Sequence, residues 1–284
     1  MAEKSVTPRR QRLGQVLRTL REATGKTGSQ SADELGWSAA KVSRIETALT
    51  LPSEDDITTL IDHYGGDEAT LREALNLRHA ATQKGWWEKY SDSLDQGYLA
   101  FIGLEAEATE MRNWEPMVFP GLLQTAAYAR SLVGNTIHPK IPPAFVRDRV
   151  EVRSRRQQLL LHGDKPLRFK AIFDESVLKR EIGGSEVMLE QLRHVLDLAS
   201  LPHVEIRINA LNTPVPAPWG SFVHLRFSDF PDIVYLEDPD GGRFWSDPER
   251  AFSYESSFEE LADAALDGSA SRRLIEETIA QWRA

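Results

Sequence analysis

The sequence predicts two domains of different fold class. An all-α helix-turn-helix domain of five short helices is expected in residues 1–80, and a larger α+β domain with a small, mostly antiparallel sheet in residues 81–284. Three observations support this. The length of 284 residues is about twice that of an average domain. Apolar residues recur at helical spacing throughout the first eighty residues. Strand-like runs of β-branched and aromatic residues are concentrated after residue 166.

The composition is that of an ordinary globular protein, with 41% hydrophobic and 27% charged residues. The chain has no cysteine, which excludes disulfides, thiolate metal sites and cysteine nucleophiles. No apolar stretch approaches the roughly 18 residues of a membrane span. Residues 1–15 are polar and basic, so no secretory signal is expected. These features predict a cytoplasmic protein.

Charge is distributed unevenly along the chain, whose net charge is −9. Residues 1–50 contain nine Lys or Arg and five Asp or Glu, whereas residues 51–85 contain three and seven. Residues 86–284 contain 22 Lys or Arg and 31 Asp or Glu. The only net-basic block therefore lies in the predicted helical domain, where it is the electrostatic pattern expected of a DNA-binding module.

The first two helices are predicted from an apolar repeat and from glycine punctuation. The first has one apolar face at the spacing i, i+3, i+4 and i+7, comprising Leu13, Val16, Leu17 and Leu20. Gly25 follows its end. A second short helix is expected from residue 28 to Leu35, where Gly36 ends it.

Three further helices are predicted before residue 80. Ser38 is a favourable N-cap for the third, whose apolar face is expected to comprise Ala39, Val42, Ile45 and Leu49. Ser53 and Asp56 have the spacing of a capping box for the fourth. The apolar face of the fourth comprises Ile57, Leu60, Ile61 and Tyr64. Asp67 begins the fifth, which continues to Leu77.

The short connection between the second and third helices predicts a helix-turn-helix unit. The third helix of such a unit lies in the major groove and presents its non-core side to the bases. Its outward positions are Ala40, Lys41, Arg44 and Thr47. Lys41 and Arg44 lie one turn apart, within reach of guanine edges or phosphates. A plain helical bundle with a solvated charged face explains the same periodicity.

Residues 9–50 resemble the XRE, lambda-repressor-type family of helix-turn-helix proteins, chiefly through the stretch from Trp37 to Glu46. The resemblance implies that Ala32 allows the second helix to pack closely on the third. It also implies a buried ion pair between Arg21 and Glu46, which would fix the angle of the recognition helix.

The sequence departs from this family at two positions. Gly28 stands where the family often has a glutamine that contacts the DNA backbone, and Ala48 stands where glycine is usual. We expect two sets of residues to contact DNA. The base-reading set comprises Ala39, Ala40, Lys41 and Arg44. The phosphate-contacting set comprises Thr27, Ser29, Gln30, Ser38, Ser43 and Thr47.

The second domain is predicted from four strand-like runs and several helices. The strands are expected at 167–173, 204–211, 221–227 and 233–237, and residues 105–118 fit either a helix or a strand. Helices are expected at about 125–133, 143–162, 188–199, 248–266 and 270–282. The helix at 143–162 is rich in arginine and is interpreted as a solvated face, with DNA contact as an alternative.

This region resembles the uncharacterised domain DUF5753, which is found behind XRE-type helix-turn-helix units in actinobacterial regulators of the WhiJ-like group. The residues that carry the resemblance include Trp87, Tyr90, Glu105, 119–125, 128–130, 153–157, 174–175, 183–184, Met188, 191–192, 235–237 and 271–275. The resemblance implies a short partner protein of the DUF397 type and antitoxin-like behaviour.

No catalytic motif of metalloproteases, serine hydrolases or dinucleotide-binding enzymes is present, and the seven histidines show no ligand spacing. No enzymatic activity, metal or cofactor is therefore expected. Asp174 and Glu175 fit a turn or helix cap better than a carboxylate site. A ligand or partner pocket is one interpretation of Trp219, Phe222, Tyr235, Arg243 and Trp245, with core packing as the alternative.

Together these observations predict a sequence-specific DNA-binding transcriptional regulator, a repressor that acts as a homodimer on double-stranded DNA. The second domain would mediate dimerisation or sense a small protein or ligand. The alternative is an antitoxin-like component that sequesters a short partner protein.

Overall fold

A computed structural model of the chain describes residues 8–82, 85–137, 142–162, 165–213, 220–228, 231–238 and 241–283. The chain divides into two compact units, residues 1–88 and 89–284. None of the described helices combines the length and the hydropathy needed to cross a bilayer.

The described part of the first unit has the five predicted helices. They are α1 (Pro8–Ala23), α2 (Gly28–Leu35), α3 (Ala39–Glu46), α4 (Glu54–His63) and α5 (Glu68–Thr82). Their apolar faces meet in one core, in which Leu13 and Leu17 of α1 pack with Ile45 of α3 and Ile57 of α4. The predicted capping box is formed, because the Ser53 side chain accepts from the Asp56 amide and the Asp56 side chain accepts from the Ser53 amide.

The predicted inward face of α3 is wrong at both ends. Val42 and Ile45 are buried, but Ala39 is exposed and Leu49 is 53% exposed. The helix ends at Glu46, and Ala48 then adopts the left-handed conformation with φ +60°. The chain therefore changes direction before Leu49, which no longer lies on the helix face extrapolated from Ile45.

The second unit contains eight α-helices and six strands in its described residues. The helices are α6 (Gln96–Glu105), α7 (Ala126–Ser131), α8 (Pro143–Arg156), α9 (Gln158–Leu161), α10 (Ser176–Lys179), α11 (Ser185–Leu198), α12 (Pro248–Ala264) and α13 (Gly268–Arg283). The strands are β1 (Glu110–Glu115), β2 (Arg168–Asp174), β3 (Val204–Asn209), β4 (Phe222–Arg226), β5 (Ile233–Asp238) and β6 (Gly241–Trp245).

The six strands form one mixed sheet in the order β3-β2-β1-β4-β5-β6, so the prediction of a small, mostly antiparallel sheet is wrong. β1, β2 and β3 are parallel, whereas β4, β5 and β6 add antiparallel strands on the other side of β1. The physical reason is the connections. Helical crossovers connect β1 to β2 and β2 to β3, and they return the chain so that these strands run in the same direction. Short connections join β4 to β5 and β5 to β6, and they reverse the direction of the chain.

β6 was not predicted, and the residues that form β1 fitted either a helix or a strand in the sequence. β1 is a central strand whose first five residues are all buried, yet four of its six residues are polar. Their polar groups are satisfied within the unit: Arg112 donates to Glu110 and to Glu259 of α12, at 2.7 Å each. The Asn113 amide donates to the carbonyl of Phe222 at 3.1 Å. A buried polar strand of this kind has no apolar alternation to reveal it.

The two sides of the sheet are covered by different elements. Alternation along β1 directs Glu110, Arg112 and Trp114 to one side, where Trp114 packs with Phe258 of α12. We call this side the α12 face. Met111, Asn113 and Glu115 point to the opposite side, which we call the α8 face, and they border a cavity that α6 and α8 also line.

Candidate nucleic-acid interface

The turn between α2 and α3 is fixed by backbone geometry and by a cap. Gly36 adopts φ +67°, which lets the Trp37 amide donate to the carbonyl of Ala32 at 2.8 Å. The Ser38 side chain then accepts from the amide of Lys41 at 3.2 Å and caps α3. Ala32 itself is fully buried. A three-residue turn thus links two closely packed helices, which is the geometry of a helix-turn-helix.

An ion pair joins α3 to α1. Arg21 Nε and Nη2 donate to the two carboxylate oxygens of Glu46 at 2.7 and 2.8 Å, and the side chains are only 11% and 9% exposed. Arg21 Nη1 also donates to the carbonyl of Lys26 at 2.7 Å. The hydrogen bond to Glu46 raises the pKa of the Arg21 guanidinium. This bidentate arrangement restricts the rotation of α3 relative to α1.

α1 also approaches the end of α3 at Gly14. A Cβ added at this glycine would lie 2.6 Å from the carbonyl oxygen of Glu46 and 2.9 Å from that of Ile45. Both contacts are with backbone atoms, so a rotamer change cannot relieve them. Gly14 is thus a close-packing position between α1 and α3, and the sequence did not indicate it because a glycine inside an amphipathic helix has no local signal for a distant contact.

The surface of α3 that faces away from the core carries most of the assigned base-reading residues. Ala39, Ala40 and Arg44 are exposed. The side chain of Arg44 makes no hydrogen bond or ion pair with another described residue, whereas Arg12, Arg18 and Arg21 each pair with a glutamate. Its guanidinium is therefore available for an external anion or base edge without breaking an internal contact.

Lys41 has a different environment. Its ammonium lies 3.6 Å from the centre of the Trp37 ring and 2.6 Å from Asp56 Oδ1 on α4. Burial raises the pKa of the Asp56 carboxyl, but hydrogen bonds from Lys41 and Ser53 outweigh it and hold that pKa below its ordinary value. Lys41 is thus held by the domain itself, and neither Trp37 nor Asp56 was recognised from the sequence as its partner.

The assigned phosphate-contacting residues lie at helix ends and are all exposed. Thr27 and Gln30 form a capping box at the start of α2, with Thr27 Oγ1 accepting from the Gln30 amide at 3.2 Å. Ser38 caps α3, and Ser29 lies in the first turn of α2. At the other end of α3, the Thr47 hydroxyl donates to the carbonyl of Ser43 at 2.7 Å. The starts of α2 and α3 offer backbone N–H groups to phosphates beside these side chains.

The residues predicted as a ligand pocket in the second unit are only partly brought together. Phe222 and Tyr235 are buried and border a cavity of about 430 Å³. Arg243 is exposed, and the Trp245 ring stacks under the Arg250 guanidinium at 3.8 Å. Neither residue is among those that line this cavity. Trp219 lies outside the described residues.

The arginine-rich helix α8 is not simply the solvated face that its sequence suggested. Arg156 is 4% exposed and donates to both carboxylate oxygens of Glu105 at 2.6 Å, and to the Tyr98 hydroxyl at 2.6 Å. Glu105 is equally buried. The carboxylate of Asp174 accepts from the Ser176 amide at 2.9 Å, and Glu175 pairs with Lys179 at 2.6 Å, so both have local roles.

Two family models match the chain. A model described as a helix-turn-helix domain matches residues 12–75, which run from α1 into α5. A model described as a domain of unknown function, DUF5753, matches residues 98–277, well over half of the chain. No curated protein and no solved structure matches it. The matches confirm the predicted order of a helix-turn-helix domain followed by a DUF5753 domain.

Proposed function

We infer that this chain, which belongs to the DUF5753 family and carries a helix-turn-helix domain ahead of the family domain, is a sequence-specific DNA-binding regulator of transcription. We assign it to the XRE type and to the cytoplasm, and propose that it represses transcription as a homodimer. The observation that carries the proposal is the free Arg44 guanidinium on the exposed side of α3, a helix anchored by Arg21 and Glu46.

In this proposal α3 enters the major groove. Arg44 donates to guanine O6 and N7 or to a neighbouring phosphate, while Ala39 and Ala40 allow the helix to approach the base edges closely. Thr27, Ser29 and Gln30 meet the phosphate backbone at the start of α2. Ser38, Ser43 and Thr47 add contacts at the two ends of α3.

A homodimer would bring two copies of α3 about 34 Å apart, to match a pseudo-palindromic operator. The second unit is the proposed site of dimerisation or of signal reception. Its acidic character requires that any contact between two copies be apolar or locally paired, because two negatively charged surfaces repel each other.

The first test is binding of the purified full chain to its own upstream DNA and to a scrambled duplex across a salt series. We expect a preference for the upstream duplex and a steep salt dependence, since phosphate contacts release counterions. Arg44→Ala should cost about 1–3 kcal/mol and relax base preference. Arg72→Ala is the matched control, because Arg72 is also exposed but lies on α5.

Equal affinity for the two duplexes, or equal effects of the two substitutions, would argue against base reading by α3. A second candidate is favoured by the acidity of residues 86–284, which contain 31 acidic and 22 basic residues. In it, the second unit sequesters a short DUF397-type protein, as an antitoxin does. Tight stoichiometric binding of a short protein encoded beside it, together with weak DNA affinity, would support this candidate.

A further inference from the structure

The cavity of about 430 Å³ in the second unit lies over the α8 face of the sheet. Its volume is within the range of sites for small organic molecules. One wall is formed by β1, β4 and β5, and the opposite wall by α6 and α8. All of the described residues that line the cavity belong to the second unit.

A row of polar side chains crosses the sheet wall of this cavity. Asn113 pairs with Val223, and Val223 pairs with Tyr235. Extending both of these registers by two residues places Ser221 between Glu115 and Glu237. All three residues line the cavity. Because side chains alternate along a strand, the two carboxylates point to the same side of the sheet.

Neither carboxylate has a cationic partner. In the described part of the chain, no lysine, arginine or histidine forms an ion pair with Glu115 or Glu237. Two arginines line the helix wall of the cavity. Arg156 donates to Glu105 and Tyr98, whereas Arg153 donates to the carbonyl of Arg149. The sheet wall therefore has one half-buried carboxylate, Glu115, and one exposed carboxylate, Glu237, neither of which is in an ion pair with a described residue.

A second observation points to a ligand that donates hydrogen bonds. Gln124 lines the cavity and is 4% exposed. Its Nε2 donates to the carbonyl of Phe119 at 2.7 Å, which orients the amide, but its Oε1 has no partner among the described residues. A buried acceptor without a donor is uncommon in folded proteins.

Aromatic rings form another part of the cavity surface. Phe101 stacks on Tyr235 with ring centres 4.2 Å apart, and Tyr98 lies beside Phe101 at 6.2 Å. Such rings supply an apolar surface for a ligand body, and their faces also attract cations.

We propose that this cavity binds a small organic cation, a protonated primary amine on an aromatic-sized apolar body. The ammonium donates to Glu115 and Glu237 and reaches the free acceptor of Gln124. The body packs against Phe101 and Tyr235. Arg153, which lines the helix wall, disfavours a second positive charge on the ligand.

The electrostatics of Glu115 agree with this assignment. Burial and the charge of Glu237 raise the pKa of Glu115 to about 8. The other titratable or charged groups around it are Tyr98, Tyr128, Arg153, Arg156 and Tyr235. An ammonium beside Glu115 favours its ionised form, so amine binding near pH 7 should release close to one proton.

The test is calorimetry of the full chain with three probes that share an indole body: tryptamine, the neutral alcohol tryptophol and the anion indole-3-acetate. We expect tryptamine to bind at least about tenfold more tightly than tryptophol, since charged hydrogen bonds are the stronger ones. Indole-3-acetate should bind more weakly still. Repeating the titration in buffers of different ionisation enthalpy measures the released proton.

Variants locate the binding site. Glu115→Gln and Glu237→Gln should each weaken tryptamine binding at least about tenfold, whereas the exposed control Glu181→Gln should leave it unchanged. If Glu115→Gln does not fold, Glu237→Gln and the three-probe comparison on the wild type still decide the question. Equal binding of tryptamine and tryptophol, unchanged affinity in Glu237→Gln, or no tryptamine binding at millimolar concentration would overturn the proposal. The experiment contains no DNA, so its outcome is separate from that of the operator-binding test.

Discussion

The guanidinium of Arg21 holds both carboxylate oxygens of Glu46, at 2.7 and 2.8 Å, and thereby ties the last residue of α3 to α1. Since Gly14 brings the α1 backbone against the same end of α3, two independent contacts fix this end of the helix. The opposite end is fixed by the Ser38 cap and the Gly36 turn. α3 is thus a rigid element whose exposed side is set by its neighbours.

Glu46→Gln should destabilise the first unit by about 3 kcal/mol, because it leaves the Arg21 charge largely buried without its counter-charge. Hydrogen exchange of the α3 amides measures this loss within the full chain. Glu73→Gln is the control, since Glu73 pairs with Arg12 but is 47% exposed, and it should cost clearly less than Glu46→Gln. Similar losses in the two variants would contradict a special role for the buried pair.

Gly14→Ala should cost about 1–3 kcal/mol, although alanine is normally the better helix former, because its methyl group would overlap backbone atoms of Glu46 and Ile45. It should also weaken operator binding, because α3 must shift to make room. Gly268→Ala, at the first residue of α13, serves as the control, because its Cβ would meet no atom within 4 Å and Gly268 is not among the assigned DNA contacts. Thermal unfolding and operator titration of both variants test this, and a neutral Gly14→Ala would show that α1 and α3 separate easily.

Asp56→Asn should increase DNA affinity. The substitution removes the charge that holds Lys41 at 2.6 Å, so the lysine becomes free to contact a phosphate. One added phosphate contact should make the slope of log K against log salt more negative by about 0.9. Asp55→Asn is the control for the change in net charge. Asp55 also lies in the first turn of α4, but the carboxylate that Lys41 contacts is that of Asp56. If both variants shift the slope equally, the position of Lys41 does not matter.

The helices of the first unit could be predicted because each has local signals. The apolar period of α1, the Ser38 cap and the Ser53–Asp56 capping box all lie within a few residues of the elements that they define. The exposure of Leu49 was mispredicted because Ala48 takes a left-handed conformation, which nothing in the apolar period of α3 indicates.

For the opposite reason, the sequence left the central strand β1 undecided between helix and strand and did not predict the cavity. The polar groups of β1 are satisfied by residues far away in the chain, as when Arg112 reaches Glu259. The row formed by Glu115 and Glu237 exists only through the strand order of the sheet. Sequence periodicity reports local burial, whereas both of these features depend on which distant strands become neighbours.

The last prediction concerns pH and follows from the raised pKa of Glu115, which burial and Glu237 bring to about 8. The ordinary value is 4.5. Between these two values the folded state binds more protons than the unfolded state, so this group makes stability fall as pH rises. The stability that the neutral Glu115 carboxyl contributes is fully present below about pH 4.5 and is lost above about pH 8. Between these values, the free energy of unfolding falls by up to about 1.4 kcal/mol per pH unit.

Other groups also titrate over this range, so the difference between variants isolates the effect. Glu115→Gln cannot lose a proton, and we expect its melting temperature to fall less than that of the wild type between pH 5 and pH 9. Glu181→Gln, exposed in the same unit, should follow the wild-type curve. Parallel curves for Glu115→Gln and the wild type would mean that Glu115 is already ionised in the folded chain. Solvent and the hydrogen bond from the Met117 amide would then stabilise the charge of Glu115, and amine binding near pH 7 should release no proton.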